Sequence, residues 1–320
     1  MPTTSPLPRP VPVALLAPLP AELLTSQVEG ITVRTAADDG RAAAEGAAVV
    51  VAGWSPAVKV DRAMVEVLAP TCRLVQVPAA GTDSVDVQAC RDAGIPVASC
   101  AGLNSVAVAE WCVWAILDAL RQFSAAAGTL RAGTWEQLGR ARYELQGRTV
   151  GIVGLGAIGV EVAERLRPFG VDLHYTSGRR RDADTEARLG VRWQELDDLV
   201  ADVDVLLLAC ALTDDTRGLL SRERIARMRP TAVVVNAARG EVTDEAALAA
   251  ALVEGRLHGA AIDAFTTEPL PDDHPLLAAS TAALTPHVAG ASAESVMAIL
   301  GRVVANVRAV VDGDDVVGLL

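Results

Sequence analysis

Three side chains that follow apolar runs could together bind an acid group and move a proton. Arg239 follows residues 234–236, and its guanidinium can hold a carboxylate with two parallel hydrogen bonds. His287 stands in a Thr-Pro-His turn, and an imidazole beside a glutamate such as Glu268 can give a proton near neutral pH. The alternatives are a salt-bridged arginine, a surface glutamate and a structural histidine. The sequence alone does not establish that Glu268 and His287 meet.

A glycine motif predicts a dinucleotide site. Apolar residues 150–153 run straight into Gly154-Leu155-Gly156-Ala157-Ile158-Gly159, and residues 160–166 follow at helical spacing. In such a strand–turn–helix unit the first glycine makes the tight turn. The second glycine lets a pyrophosphate approach, and the third lets helix pack on strand. The helix N-terminus, with Ala157 and Ile158, then favours a phosphate. The order of strand and helix favours this interpretation over an ordinary glycine turn.

The segment after the next predicted strand favours NADP over NAD. An NAD site usually has Asp or Glu roughly 20 residues beyond the glycines, where the acid accepts a hydrogen bond from the ribose. Ser177 occupies that place here, and Arg179, Arg180 and Arg181 follow. Serine and arginine would bind a 2′-phosphate that a carboxylate would repel. We therefore predict that Ser177, Arg179 and Arg180 bind the cofactor, with a solvated basic turn as the alternative.

Composition excludes several other classes of function. The 320 residues suffice for two domains, and a net charge of −12 argues against a nucleic-acid partner. Since no apolar run reaches membrane-spanning length, we expect no membrane association. The five cysteines are scattered and form no C-x-x-C motif. We therefore expect neither disulfides nor a bound metal, and a reducing, cytoplasmic location fits.

Two alternating series of strands and helices must position these residues. The first has strands at 11–17, 31–34, 48–52, 73–77 and 95–98, and helices at 21–28, 38–46, 61–68 and 84–93. The second has strands at 149–153, 171–175, 191–193, 205–209, 232–236, 260–262 and 283–285. A long apolar helix at 104–127 lies between the two series, and a last helix at 293–311 can pack back on the first domain.

The predicted fold class is therefore α/β, with two doubly wound parallel-sheet domains. A Rossmann-type nucleotide domain, residues 101–291, is inserted in a flavodoxin-like substrate domain, residues 1–100 and 292–320. The apolar helix at 104–127 favours a homodimer.

In order and spacing, the motifs resemble the D-isomer-specific 2-hydroxyacid dehydrogenase family over nearly the whole chain. The resemblance rests on the glycine motif and on Leu-Thr-Asp-Asp-Thr at 212–216, Asn-Ala-Ala-Arg-Gly at 236–240, Glu-Pro-Leu-Pro at 268–271, His-Pro-Leu at 274–276 and Thr-Pro-His-Val-Ala-Gly at 285–290. It implies that Arg239, Glu268 and His287 are catalytic. The further residues expected at the cofactor are Cys210, Thr216, Ala237, Asp263 and Gly290, with Asp263 near the nicotinamide carboxamide.

The loop at 77–83 resembles the family's substrate loop, in which backbone N–H groups bind the substrate carboxylate. Ala79, Ala80 and Gly81 take that place, where small residues allow a close approach. An ordinary strand-to-helix turn is the alternative. The family often has proline where Ala211 stands, and an acid where Ser177 stands, so NAD cannot be assumed from the resemblance.

These observations predict an NAD(P)-dependent oxidoreductase that transfers a hydride between NADP(H) and a small 2-oxo or 2-hydroxy acid, as glyoxylate or hydroxypyruvate reductases do. Arg239 and residues 79–81 would hold the substrate carboxylate, and His287, supported by Glu268, would give a proton to the keto oxygen. A formate-type dehydrogenase would have glutamine in place of Glu268. The alternative from another class is a nucleotide-sensing interaction protein of the corepressor type on the same fold.

Overall fold

The chain divides into two units. The computed structural model describes residues 7–36, 40–53, 58–135 and 141–320. Unit 1 comprises Met1–Asn104 and Ser292–Leu320, and unit 2 comprises Ser105–Ala291. Unit 2 therefore interrupts unit 1 in the sequence, and it begins at Ser105 rather than at residue 101, where the sequence analysis placed the boundary.

The strands, in chain order, are β1 Val11–Leu15, β2 Ile31–Thr35, β3 Val49–Val51, β4 Leu74–Gln76, β5 Val97–Ala98, β6 Thr149–Val153, β7 Asp172–Thr176, β8 Val191–Trp193, β9 Val205–Leu208, β10 Val233–Asn236, β11 Gly259–Ile262 and β12 Ala282–Leu284.

The helices are α1 Glu22–Thr25, α2 Arg41–Ala44, α3 Arg62–Leu68, α4 Val87–Asp92, α5 Ser105–Arg121, α6 Phe123–Arg131, α7 Ala157–Leu166, α8 Ala183–Leu189, α9 Leu196–Asp202, α10 Arg222–Arg227, α11 Glu245–Val253 and α12 Ala293–Asp312. Short 3-10 helices span Arg167–Phe169, Gly240–Val242 and Pro275–Ala278. None of the helices in the described ranges is both long and apolar enough to cross a membrane.

Unit 1 is a five-stranded parallel sheet in the order β2-β1-β3-β4-β5. Helices α1 and α12 cover one face of the sheet, and α2, α3 and α4 cover the other. Because both faces are covered, a strand such as β3, Val-Val-Val, is apolar throughout rather than alternating.

The helix α12 is tied to the unit 1 sheet by a buried amide. The side chain of Asn306 donates to Oε1 of Gln76, at 2.6 Å, and to the carbonyl of Val317, at 2.8 Å. Its own oxygen accepts from the N–H of Val317 at 3.0 Å. The last helix therefore packs back on the first sheet, as the sequence predicts.

Unit 2 is a seven-stranded parallel sheet in the order β12-β11-β10-β9-β6-β7-β8. Helices α5 and α7 pack on one face, and α9, α10 and α11 pack on the other. The strand order reverses between β6 and β9, and in such sheets ligands bind outside the carboxyl ends of the strands at that point. The predicted fold class is confirmed.

The single long helix predicted at 104–127 is wrong, because the chain breaks between α5 and α6 at Gln122. Gln122 has a φ of +53°, in the left-handed region. Its side chain donates to the carbonyl of His258 at 2.9 Å, while the buried carboxylate of Asp118 accepts from the N–H and hydroxyl of Ser124. These contacts offset the cost of the left-handed residue, which is about 1–2 kcal/mol. Helices α1 and α2 are also shorter than predicted, and part of the predicted helix at 38–46 lies outside the described residues.

Candidate active site

The three glycines of the turn between β6 and α7 serve three different steric needs. Gly154 has a φ of +98°, and a Cβ there would lie 2.7 Å from Cα of Cys210 at the end of β9. A Cβ on Gly159 would lie 2.2 Å from the carbonyl oxygen of Gly154. At Gly156, by contrast, no described atom lies within 4 Å of a Cβ position, so this face of the turn is open to a ligand.

The N-terminus of α7 has the features of an anion site. Its N-cap is Gly156, which has no side chain, and the first helical hydrogen bond runs from the N–H of Val160 to the carbonyl of Gly156 at 3.0 Å. The N–H groups of Ala157 and Ile158 therefore have no partner within the helix. Together with the helix dipole they favour a phosphate, so these residues fit a dinucleotide.

The basic segment after β7 is less open than its sequence suggests. Nε and Nη2 of Arg180 donate to the two carboxylate oxygens of Glu186, at 2.8 and 3.0 Å. The Arg180 guanidinium also lies over the ring of Trp193, 5.6 Å from its centroid, and it lowers the pKa of Glu186. Arg179 is exposed, and its guanidinium contacts no acceptor within the described ranges. Ser177 lies beside it and donates from Oγ to the carbonyl of Arg179 at 2.6 Å.

Arg181 has a structural role that the sequence analysis missed. Its guanidinium donates to the carbonyl oxygen of Leu155, inside the glycine turn, through both Nε, at 3.0 Å, and Nη2. Its backbone N–H donates to the hydroxyl of Tyr175 at 2.8 Å, and that hydroxyl donates to Glu186 at 2.8 Å. Two of the three consecutive arginines thus bind groups of the protein itself.

The loop after β10 holds Arg239 in a fixed backbone conformation. The buried side chain of Asn236 accepts from the N–H of Ala238 at 2.9 Å and donates to the carbonyl of Arg239 at 3.0 Å. A Cβ on Gly240 would lie 2.0 Å from the backbone nitrogen of Thr266. Only glycine therefore lets the Arg239 loop pack against the segment that leads to Glu268.

Glu268 and His287 meet in the structure. The Nδ1 atom of His287 lies 3.0 and 2.9 Å from the two carboxylate oxygens of Glu268, and Oε1 of Glu268 also accepts from the N–H of Phe265 at 2.9 Å. The side chains are 44% and 29% exposed, so a ligand can reach them. Because a carboxylate only accepts hydrogen bonds, Nδ1 carries a proton, and Nε2 is the ring nitrogen left to exchange a proton with a ligand.

A buried carboxylate holds the turn that carries His287. Asp263 is 2% exposed, and its Oδ1 accepts from the hydroxyl of Thr285 at 2.6 Å and from the N–H of Val288 at 2.9 Å. Its Oδ2 accepts from the N–H of Ala289 at 2.8 Å. His287 itself has a φ of +54°, and its N–H donates to the Asp263 carbonyl at 2.8 Å. The sequence analysis missed this role, and the contact of Asp263 with a carboxamide stays a prediction.

The other predicted cofactor residues lie at the carboxyl ends of β9, β10 and β12. Burial raises the pKa of the Cys210 thiol to about 11, so this thiol is neutral. The hydroxyl of Thr216 donates to the carbonyl of Ala211 at 2.7 Å and closes the loop after β9. Ala237 donates from its N–H to the carbonyl of Leu208 at 3.0 Å, and Gly290 is half-buried beyond the His287 turn.

The predicted substrate loop belongs to unit 1 and follows β4. The carbonyl of Ala79 accepts from the N–H of Cys100 at 2.9 Å, which fixes the start of the loop. Ala80 and Gly81 are half-buried, and their N–H groups have no acceptor in the part of the chain that the structure describes. Over the same part of the chain, no three or more His, Cys, Asp or Glu residues are grouped as metal ligands.

Comparison with known proteins identifies a single family. Residues 113–289 match the family model described as D-isomer specific 2-hydroxyacid dehydrogenase, NAD binding domain. A glyoxylate reductase of Thermofilum pendens is 36% identical over 261 residues, which are 80% of this chain and 76% of that protein. A glyoxylate/hydroxypyruvate reductase B of Yersinia pestis is 35% identical over 74% of this chain and 73% of its own.

Solved structures of similar fold include a glyoxylate reductase, as the sequence relatives do. The crystal structure of a glyoxylate reductase from Paecilomyes thermophila superposes with a TM-score of 0.85, at 27% identity, over 97% of this chain and 98% of that one. The holo form of Rhodotorula graminis D-mandelate dehydrogenase has a TM-score of 0.87 over 98% of both chains. At 24% identity, this second likeness shows the fold alone.

Replacing Gly159 by alanine should weaken dinucleotide binding. The new Cβ would collide with the carbonyl of Gly154, so α7 must move away from the turn. We expect a loss of about 1–3 kcal/mol in the free energy of unfolding, and at least about a tenfold weaker Kd for NADPH. Urea unfolding and titration of NADPH fluorescence measure the two effects.

The matched control is Gly301→Ala in α12, where a Cβ would have no neighbour within 4 Å among the residues that the structure describes. This change should raise stability by about 0.5–1 kcal/mol, because alanine favours a helix over glycine. Unchanged NADPH affinity in Gly159→Ala would contradict the steric role of Gly159.

Proposed function

The chain belongs to the D-isomer specific 2-hydroxyacid dehydrogenase family, and we propose that it is a homodimeric, NADPH-preferring reductase of small 2-oxo acids. Family membership makes it an NAD(P)-dependent oxidoreductase of 2-oxo and 2-hydroxy acids. The proposal adds the preferred cofactor, the size of the substrate and the role of each side chain. The observation that carries the proposed reductase activity is the hydrogen bond between Glu268 and His287.

The Glu268–His287 pair is suited to proton transfer. With Nδ1 donating to the Glu268 carboxylate, the His287 ring is held in one orientation, and Nε2 remains available to exchange a proton with a ligand. We propose that Nε2 gives its proton to the keto oxygen of the 2-oxo acid. The nicotinamide, when bound, supplies the hydride that reduces the same carbonyl carbon. The sum is 2-oxo acid, NADPH and one proton converted to 2-hydroxy acid and NADP⁺, and in oxidation His287 takes the proton back.

Arg239 is proposed to hold the substrate carboxylate and to polarise the carbonyl that accepts the hydride. A guanidinium can bind two oxygens of an acid side by side, and it stabilises negative charge that develops on the keto oxygen. The N–H groups of Ala80 and Gly81 are proposed as further donors to the carboxylate. Their lack of an acceptor among the described residues supports this role.

Two sequence relatives support a small substrate. They are named as reductases of glyoxylate, or of glyoxylate and hydroxypyruvate. We therefore propose glyoxylate and hydroxypyruvate as the first acids to assay. The relatives named above do not support the corepressor-type alternative, and a sensor would not need an acid–base pair such as Glu268 and His287.

His287→Gln should remove most of the turnover and affect cofactor affinity far less. Glutamine keeps a polar group of similar size, but it cannot give or take the proton, so kcat should fall about 10²–10⁴-fold. The Kd for NADPH should change far less than kcat, because the glycine turn proposed to hold the pyrophosphate follows β6, which is separated from β12 by three strands of the sheet. Steady-state kinetics with glyoxylate and NADPH titration measure these effects.

His174→Gln on β7 is the matched control. His174 bonds only to Gln194, Asp172 and Arg192 among the described residues, so its replacement should leave kcat near the wild-type value. Near-normal turnover in His287→Gln would contradict the proton-transfer role.

The preference for NADPH is proposed to depend on Arg179. Since Arg180 is already paired with Glu186, the exposed guanidinium of Arg179 is the cation beside Ser177 that can bind a 2′-phosphate. Arg179→Ala should lower kcat/KM for NADPH roughly tenfold or more, which corresponds to a loss of about 1.5–3 kcal/mol for a hydrogen bond to a charged group. The kcat/KM for NADH should be unaffected.

Arg180→Ala is the comparison variant for this test. We expect it to change the ratio of NADPH to NADH activity much less, because its charge is already compensated by Glu186. A wild-type enzyme that strongly prefers NADH would refute the cofactor proposal.

The homodimer is proposed to form through α5 and α6. Large apolar side chains are exposed along these helices and just beyond them: Val106, Trp114, Phe123, Leu130 and Trp135, the last of which is 76% exposed. Several exposed apolar side chains on consecutive elements are typical of an interaction surface, and a twofold dimer presents the same surface on both copies.

Sedimentation analysis tests the dimer. The wild-type chain should sediment as a dimer at micromolar concentration, and Trp114→Asp should convert it to monomer because a charge would be buried in the contact. Val253→Asp, which places the same charge at an even more exposed apolar position on α11, should remain dimeric. A monomeric wild-type protein would rule out the proposal.

We also propose that the enzyme works in a reducing cytoplasm. All five cysteines lie in the described ranges and are free thiols. Burial raises the pKa of Cys72 to about 12 and that of Cys90 and Cys100 to about 11, so these thiols are unreactive at neutral pH.

A further inference from the structure

A second glutamate–histidine pair lies in unit 2, and neither residue has a role in the proposed chemistry. Glu245 stands in the first turn of α11, and His274 caps the 3-10 helix Pro275–Ala278. Nε2 of His274 lies 3.2 Å from Oε2 of Glu245, and the side chains are only 12% and 11% exposed. An ionisable pair buried this far needs partners for its remaining polar atoms.

The hydrogen bonds of His274 fix the orientation of its ring. Its Nδ1 accepts from the N–H of Leu276 at 3.4 Å, so that nitrogen carries no proton. Nε2 therefore carries the proton and donates it to Glu245. Both ring nitrogens have partners, unlike those of His287, whose Nε2 has none among the described residues. This pair is built to hold a position rather than to transfer a proton.

Glu245 contacts the two loops that carry Arg239 and Glu268. Its Oε1 accepts from the backbone N–H of Thr266 at 2.9 Å. The same Oε1 lies 2.7 Å from the position that a Cβ on Gly240 would take. The carboxylate therefore sits where the Arg239–Gly240 turn meets the segment that leads to Glu268.

His274 contacts the same segment through a ring contact. Its ring meets the ring of Phe265 edge-on, with centroids 6.2 Å apart and planes at 75°. Phe265 in turn donates its N–H to Oε1 of Glu268 at 2.9 Å. One residue pair thus braces the two residues Phe265 and Thr266, of which Phe265 donates its N–H to Glu268 and Thr266 donates its N–H to Glu245.

We propose that Glu245 and His274 are positioning residues for the reaction, fixing the Glu268 carboxylate relative to Arg239. This inference rests on the proposed reductase function. If the Glu245–His274 bond is lost, the Thr266 peptide can shift against Gly240, and the Glu268–His287 pair shifts with it. Because a displacement of about 1 Å can cost roughly a hundredfold in rate, a role in positioning should appear in kcat.

The first experiment compares four variants. Glu245→Gln keeps an oxygen for Thr266 but loses the carboxylate that accepts from His274, and His274→Leu keeps volume but loses the donor. Both should lower kcat for the 2-oxo acid about tenfold or more, with the Kd for NADPH unchanged. His274→Gln, whose amide can still donate to Glu245, should retain much more activity than His274→Leu. Glu254→Gln, an exposed glutamate that follows α11 and pairs with Arg256, should behave as wild type.

A second measurement tests positioning without turnover. The chain has four histidines, so ¹⁵N-histidine labelling gives a tractable NMR spectrum, in which His287→Gln identifies the His287 signals. The Nδ1 shift of His287 reports its hydrogen bond to Glu268. We expect it to change in Glu245→Gln and His274→Leu, and to stay the same in Glu254→Gln.

The outcomes separate this inference from the proposed function. A folded wild-type protein that reduces no 2-oxo acid would refute the function, while the NMR shifts would still decide the positioning role. Unchanged kcat and unchanged His287 shifts in both Glu245→Gln and His274→Leu would overturn the inference. If His274→Leu does not fold, Glu245→Gln decides it. Loss of folding in both variants would also overturn the inference, since the pair would then serve stability alone.

Discussion

The whole candidate site depends on one buried carboxylate, that of Asp263. It follows β11, between the strands β10 and β12, and it accepts hydrogen bonds from the hydroxyl of Thr285 and the N–H groups of Val288 and Ala289. These bonds hold His287 in a left-handed conformation that costs a non-glycine residue of order 1–3 kcal/mol. Without them the imidazole would not be directed at Glu268. Three neighbouring parallel strands thus supply the arginine, the buried carboxylate and the histidine at one edge of the sheet.

Much of this arrangement could be predicted from the sequence, because its signals are local. Short, largely apolar segments alternating with helical stretches predicted all twelve strands, and strands such as β3 and β9 are apolar throughout because both faces of their sheets are covered. The spacing of the glycine turn predicted a tight turn, an open face and a close helix contact, and Gly154, Gly156 and Gly159 have those environments. Arg239, Glu268 and His287 could be named because each follows a recognisable strand and because their motifs resemble a known family.

The remainder could not be predicted, because it depends on which side chains and backbone groups meet once the chain has folded. The break at Gln122 is stabilised by the carbonyl of His258, which no local pattern reveals. The pairing of Arg180 with Glu186 needs the fold of the β7–α8 segment, and without it three arginines look equivalent. Glu245 and His274 lie 29 positions apart and meet only after the α11 and β11 segments have packed. The residue types alone predicted that arginines stand near the expected ribose position. They did not reveal which of these arginines pair with other groups of the protein.

The placement of α12 has a consequence for the order in which the newly made chain can fold. Val303, Val307 and Val310 of this helix cover Val13, Val49 and Leu74 on one face of the unit 1 sheet. During translation these strands are synthesised first. All of unit 2 follows, and α12 is synthesised after unit 2. Unit 2 is continuous and can complete its core while the first sheet still exposes valines to water. A chaperone that binds the nascent polypeptide would therefore find its apolar target in the first hundred residues, and release from it would await the final helix.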